Sequence, residues 1–162
     1  MRSEILIPGL MSILLLISCN SNVVFEDFES GSMTKWKVEG DAFASVPATK
    51  TDAPDAKGYE GDGFLKTSST SAVQGTLTSE PFIIEKKFVN FLLGGTGASY
   101  TYSSTSIDLV IDGEIVQSIS SVGKTPLELE WMSWDVTAYN GKEGVICVKV
   151  NPARAMGTRV QE

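Results

Sequence analysis

The chain has 162 residues, with 13 basic against 20 acidic side chains and a net charge of −7 at neutral pH. That balance, without any basic run or interleaving of aromatic with basic residues, excludes nucleic acid as a natural partner, because neutralising phosphates needs a basic face. There is no histidine, which removes Ser-His-Asp and Cys-His catalysis, imidazole general bases and histidine-ligated zinc.

The first element reads as a targeting segment. Arg2 supplies a short basic region, Ile5 to Ile17 an apolar run, and "LISC" at Leu16 to Cys19 closes it. The run is too short to span a bilayer. A small residue, Ser18, directly before Cys19 resembles the site cut by a bacterial lipoprotein signal peptidase. The spacing predicts a signal peptide over 1–18, a lipidated Cys19 and a tether over 19–22. The expected location is the bacterial cell envelope, periplasmic or surface-exposed, with membrane contact through acyl chains on Cys19. With Cys19 acylated, Cys147 has no partner in the chain, and its place in "GVICVKV" predicts a buried or half-buried thiol rather than a nucleophile.

From residue 23 the chain breaks into short extended runs: "VVFEDF" (23–28), "KWKV" (35–38), "AFASV" (42–46), "FLKTS" (64–68), "GTLTS" (75–79), "PFIIE" (81–85) and "FVNFLLGG" (88–95). A Pro-, Asp-, Lys- and Gly-rich loop separates the third and fourth of these. The glycines of "GGTG" (94–97) invite a phosphate-loop reading. That loop requires a following helix and a Lys-Ser/Thr pair, whereas "ASYTYSSTSIDLV" runs into a strand. Gly94 and Gly95 therefore read as the end of a core strand, where the backbone turns or passes close to a neighbour.

"SIDLVIDGEIVQSIS" is the clearest local pattern. Ile107, Leu109 and Ile111 alternate with Ser106, Asp108 and Val110, Asp112-Gly113 supplies a two-residue turn, and Ile115, Gln117 and Ile119 continue the alternation. A second hairpin is expected at Asn140-Gly141, between "WDVTA" and "VICVKV". The pattern predicts an all-β fold, a single antiparallel β-sandwich of jelly-roll type over 23–150, followed by an atypical, truncated-looking tail over 151–162.

In order, "DFESGSMTKWKVEGDAF", "GDGFLKTS", "GTLTSEPFII", "FVNFLLGG", "IDLVIDGEIVQS" and "WMSWDVTAYNGKEGVICVKV" resemble the amino-terminal β-sandwich module of Bacteroidetes-type lipoprotein levanases and fructosidases of glycoside hydrolase family 32. The resemblance covers most of residues 27–150. It implies a non-catalytic accessory module of a secreted, lipid-anchored fructan hydrolase, with levan or inulin as polysaccharide partner and a catalytic domain alongside it in full-length relatives. The family's catalytic Asn-Asp-Pro, Arg-Asp-Pro and Glu-Cys strings do not occur in this chain, so no catalytic residue is assigned. The alternatives are a stand-alone glycan- or protein-binding envelope lipoprotein and a purely structural spacer.

Three sets of residues could carry chemistry. In "FEDFES", Asp27 and Glu29 share one face of the expected first strand and read as solvated acids rather than a hydrolytic pair. Sandwich modules beginning with a "DFE"-like strand resemble calcium-binding carbohydrate modules, which makes Glu29 and Asp41 candidate ligands of a structural calcium ion. Sugars stack on exposed rings. Tyr100 and Tyr102, in a Ser/Thr-rich loop, and Trp131, one register away from an expected core Trp134, are the candidate sugar contacts.

Overall fold

The computed structural model describes residues 22–67, 73–94, 104–120 and 128–151. Its strands are β1 (Trp36–Gly40), β2 (Ala48–Thr49), β3 (Gly63–Phe64), β4 (Gly75–Ser79), β5 (Phe82–Ile83), β6 (Phe88–Gly94), β7 (Ser104–Ile111), β8 (Glu114–Ser120), β9 (Leu129–Asp135) and β10 (Glu143–Asn151). One sheet runs β1-β4-β10-β7-β8, with β5 also paired to β10. Two smaller pairs, β2-β3 and β6-β9, complete the set. Every pairing between named strands is antiparallel. The chain is an all-β sandwich, as the alternation predicts.

The side-chain period of two explains how the layers form. In the large sheet, Trp36, Val38, Leu77, Ile146, Val148, Val150, Ile107 and Leu109 fall on one face by register. Half of that face packs with Met33, Ala42, Phe43 and Val73. The other half meets the β6-β9 ribbon through Val89, Phe91 and Trp134, with Ile84, Ile111 and Val136. Leu77, Leu109 and Val136 are fully buried, and each such side chain contributes about 1.5–3 kcal/mol relative to an exposed position. The Phe91 and Trp134 rings meet edge-on at 4.6 Å, an arrangement that favours the π quadrupoles.

The β7-β8 hairpin forms on Asp112 (φ 53°) and Gly113 (φ 82°), both with the positive φ of a type I′ turn. A register shift between Leu109 and Val110 interrupts its alternation. The extra residue turns Ile115 to the outside, where it is exposed, while Val116 packs into the core. The expected run Ile115, Gln117, Ile119 along one face is corrected accordingly.

Two other expectations are corrected. Residues 23–28 form no strand. Glu26 accepts the Phe28 N–H through Oε1 (2.9 Å) and the Trp36 indole N–H through Oε2 (3.0 Å), and Asp27 accepts the Glu29 N–H (3.1 Å). Local side-chain acceptors of this kind compete with strand pairing, and Phe28 lies at φ 61°, incompatible with extension. The segment is held by its rings: Phe25 contacts Trp36 and Phe82, and Phe28 stacks on Trp36. Glu26→Ala, which removes both acceptors, is expected to destabilise the fold by about 1–2 kcal/mol in thermal melts.

Nor is Asn140-Gly141 the tip of a hairpin. β9 pairs with β6, and β10 with β4, β5 and β7, so the connection crosses from one sheet to the other. It contains a short 3-10 turn, Thr137–Tyr139. Asn140 (φ −54°, ψ 131°) and Gly141 (φ 80°) have type II dihedrals, closed by Lys142 N–H donating to the Tyr139 carbonyl at 3.0 Å. Asn-Gly serves type II as readily as the hairpin turn, and only the pairing of the flanking strands separates the two.

Candidate functional site

The outward face of the β6-β9 ribbon gathers the groups best suited to a ligand. The register places Phe88 opposite Asp135, Asn90 opposite Ser133, Leu92 opposite Trp131 and Gly94 opposite Leu129. These residues share one face because side chains alternate along both strands, and the opposite face carries Val89, Phe91 and Trp134 into the core. Trp131 is 59% and Phe88 53% exposed, while Trp134 is 6% exposed. An indole thus stands in solvent beside a half-buried leucine, next to an exposed amide and an exposed hydroxyl. Among the described residues, no hydrogen bond occupies the Asn90 or Ser133 side chain. At the Trp131 end the two strands approach closely: a Cβ on Gly94 would lie 2.7 Å from the Glu128 carbonyl oxygen. Close approach, rather than phosphate cradling, explains this glycine.

The face carries one carboxylate. Asp135 accepts the Thr137 N–H at 2.9 Å, and hydrogen bonding from Thr137 holds its pKa below the ordinary 3.8, with a smaller contribution from Lys87. It stays ionised at neutral pH and repels a polyanionic ligand.

Of the residues singled out from the sequence, Trp131 lies exposed on this face. Cys19, Tyr100 and Tyr102 lie outside the described residues. Glu29 and Asp41 serve two separate loops. Glu29 Oε1 accepts the N–H groups of Asp62 and Gly63 at 2.8 Å each, and Asp41 Oδ1 accepts that of Gln74 at 3.2 Å. Among the described residues, no three His, Cys, Asp or Glu side chains group as a metal site. Cys147 is buried, with its sulfur 3.9 Å from Thr78 Oγ1.

Sequence reasoning missed Phe88, because "FVNFLLGG" reads as one continuous apolar run. Asn90 was the available signal: a lone polar residue marks the solvent face, and Phe88 and Leu92 lie two positions to either side of it.

No protein-family model matches the chain. A protein of Aspergillus rugulosus named as a glycosyl hydrolase, ecdE, is 32% identical over 144 residues, covering 85% of this chain and 20% of that protein. The chain therefore spans about a fifth of the length of that relative. Among solved structures, TmCBM61 in complex with β-1,4-galactotriose superimposes with a TM-score of 0.56, over 78% of this chain and 85% of its own, at 15% identity. The chain shares the β-sandwich fold of that structure.

Proposed function

We propose that this chain is a non-catalytic carbohydrate-binding module, whose ligand is a neutral polysaccharide of the fructan class, levan or inulin. The observation that carries the reading is Trp131, exposed on the outward face of the β6-β9 ribbon with Asn90 and Ser133 alongside. A sugar ring offers an apolar C–H face that stacks on an indole and equatorial or pendant hydroxyls that bond to neighbouring amides and hydroxyls. Burying an exposed indole in water's absence supplies affinity, and the polar pair orients the chain.

The fold neighbour and the longer glycosyl hydrolase-named relative support a role beside a hydrolase, holding it on its polymer. Fructan as the ligand follows from the resemblance of the sequence to levanase modules. The same resemblance and the "LISC" stretch support an acyl anchor on Cys19 and an envelope location.

Affinity gel electrophoresis with levan, inulin or β-1,4-galactan in the gel tests the reading. Retardation by levan or inulin is the expected result. Retardation by galactan alone would keep carbohydrate binding and discard fructan, and mobility unchanged in every gel, with a cooperative thermal melt, would overturn the function. Loss of palmitate labelling in Cys19→Ala is the corresponding check of the anchor.

A further inference from the structure

The geometry points to a second stacking position on the same face: Phe88 and Trp131 grip one neutral glycan chain at two separated points, so that binding depends on chain length. The inference rests on the carbohydrate-binding reading above, which assigns Trp131 alone.

Phe88 is 53% exposed although it opens a strand whose alternate residues Val89 and Phe91 enter the core. A phenyl ring kept in solvent at a position where a polar residue would serve is a standing hydrophobic exposure, and it shares its face with the exposed indole. Phe88 lies four positions along β6 from Leu92, the cross-strand partner of Trp131. At about 3.4 Å per residue and about 4.8 Å between strands, the two ring positions stand about 14 Å apart. A disaccharide is too short to cover both. A longer chain lying along β6 reaches both, and between them it passes over Asn90 and Ser133, the exposed amide and hydroxyl of the face.

The charge pattern defines the ligand class. Asp135 lies directly opposite Phe88 and is ionised at neutral pH, and the chain as a whole carries −7. Lys86 and Lys87, next to Phe88 in the chain, offset Asp135 locally. It is the net charge of the whole chain that disfavours uronate or sulfated chains, and a neutral chain meets no such penalty. Once one ring is engaged, the second contact is intramolecular and benefits from a high effective concentration.

Isothermal titration with size-graded, neutral fructo-oligosaccharides, and a parallel series of β-1,4-galacto-oligosaccharides, tests this. Affinity is expected to rise about tenfold at the length that first bridges both rings. Phe88→Ala is expected to remove that step, so that long chains bind no more than about twofold tighter than the disaccharide does. Phe88→Leu, which keeps apolar bulk without a ring, guards against a folding artefact and should behave like Phe88→Ala.

A smooth dependence on length in the wild type, or equal weakening of short and long chains by both substitutions, would overturn the two-point grip and leave the single-ring module standing. Absence of binding at every length would overturn the underlying reading instead.

Discussion

Trp131→Ala is expected to weaken polysaccharide binding by about thirtyfold or more and to leave the melting temperature nearly unchanged. The two halves of that result have separate causes. Trp131 is already 59% exposed, so its removal deletes little that folding had buried, and surface substitutions of this kind stay within about 0.5 kcal/mol. On binding, the same indole becomes covered. An aromatic side chain at the centre of an interface is commonly worth about 2 kcal/mol or more, which is about thirtyfold in affinity.

Trp134 provides the internal contrast. It lies three positions along the same strand, but on the buried face, packed against Phe91. Trp134→Ala is expected to cost about 3–5 kcal/mol of stability through the cavity it leaves, and any loss of binding would follow from unfolding. Affinity electrophoresis and thermal melts on the two variants should therefore give opposite pairs of results. Full retention of binding by Trp131→Ala would remove this face as the site.

Much of this layout was legible because alternation and turn chemistry point to the same structure. Ile107, Leu109 and Ile111 face the core as their spacing implies, and Asp112-Gly113 allows only a narrow class of turn. Legibility ends where a pairing is non-local. Nothing within "WDVTAYNGKEGVICVKV" records that β9 seeks β6, more than thirty residues upstream by the numbering of their pairs, while β10 inserts between β4 and β7. A bulge is equally silent: one residue more on one strand than its partner sends Ile115 out and Val116 in, without a change in composition.

The candidate site was half legible for the same reason. Trp131 could be placed outside by its offset from Trp134, but Phe88 sat within an apolar run whose two faces differ only at Asn90. Acids near the start of the chain looked solvated in sequence, whereas Glu26 reaches the distant Trp36 indole and Glu29 the distant backbone amides of Asp62 and Gly63. Their partners lie 10 to 34 positions away, beyond the reach of a local pattern.

The outer face of the large sheet bears the least legible feature, an ion pair inside an apparently solvent-facing row. The registers align Lys37, Thr78, Cys147, Asp108 and Ser118 across five strands. Asp108 alternates with Ile107 and Leu109 and would be read as a solvated acid, yet it is 3% exposed. Ser118 Oγ donates to its Oδ1 at 2.6 Å, and Lys149 Nζ to its Oδ2 at 2.8 Å. Each carboxylate oxygen thus has a donor, which is what a buried charge requires.

Lys149→Met is expected to cost about 3 kcal/mol at neutral pH, because it strands the Asp108 carboxylate without its cation, the damaging way to break such a pair. The exposure of Lys149, with 36% of its side chain accessible, places the value at the lower end of the range for buried pairs. Asp108→Asn should cost less, since the amide oxygen still accepts a hydrogen bond and the ammonium can turn to water.

Alkaline pH separates this charge effect from simple packing. The hydrogen bond to Asp108 raises the Lys149 pKa above 10.5, with the carboxylate's charge adding to it. A group whose folded pKa is raised contributes stability that is complete below its unfolded pKa and is lost as pH climbs through the folded one. The gap between wild type and Lys149→Met, measured by urea unfolding, should therefore hold constant from neutral pH to near 10.5 and narrow above it. A gap that stays the same width through that range would assign the role of Lys149 to its aliphatic stem rather than its charge.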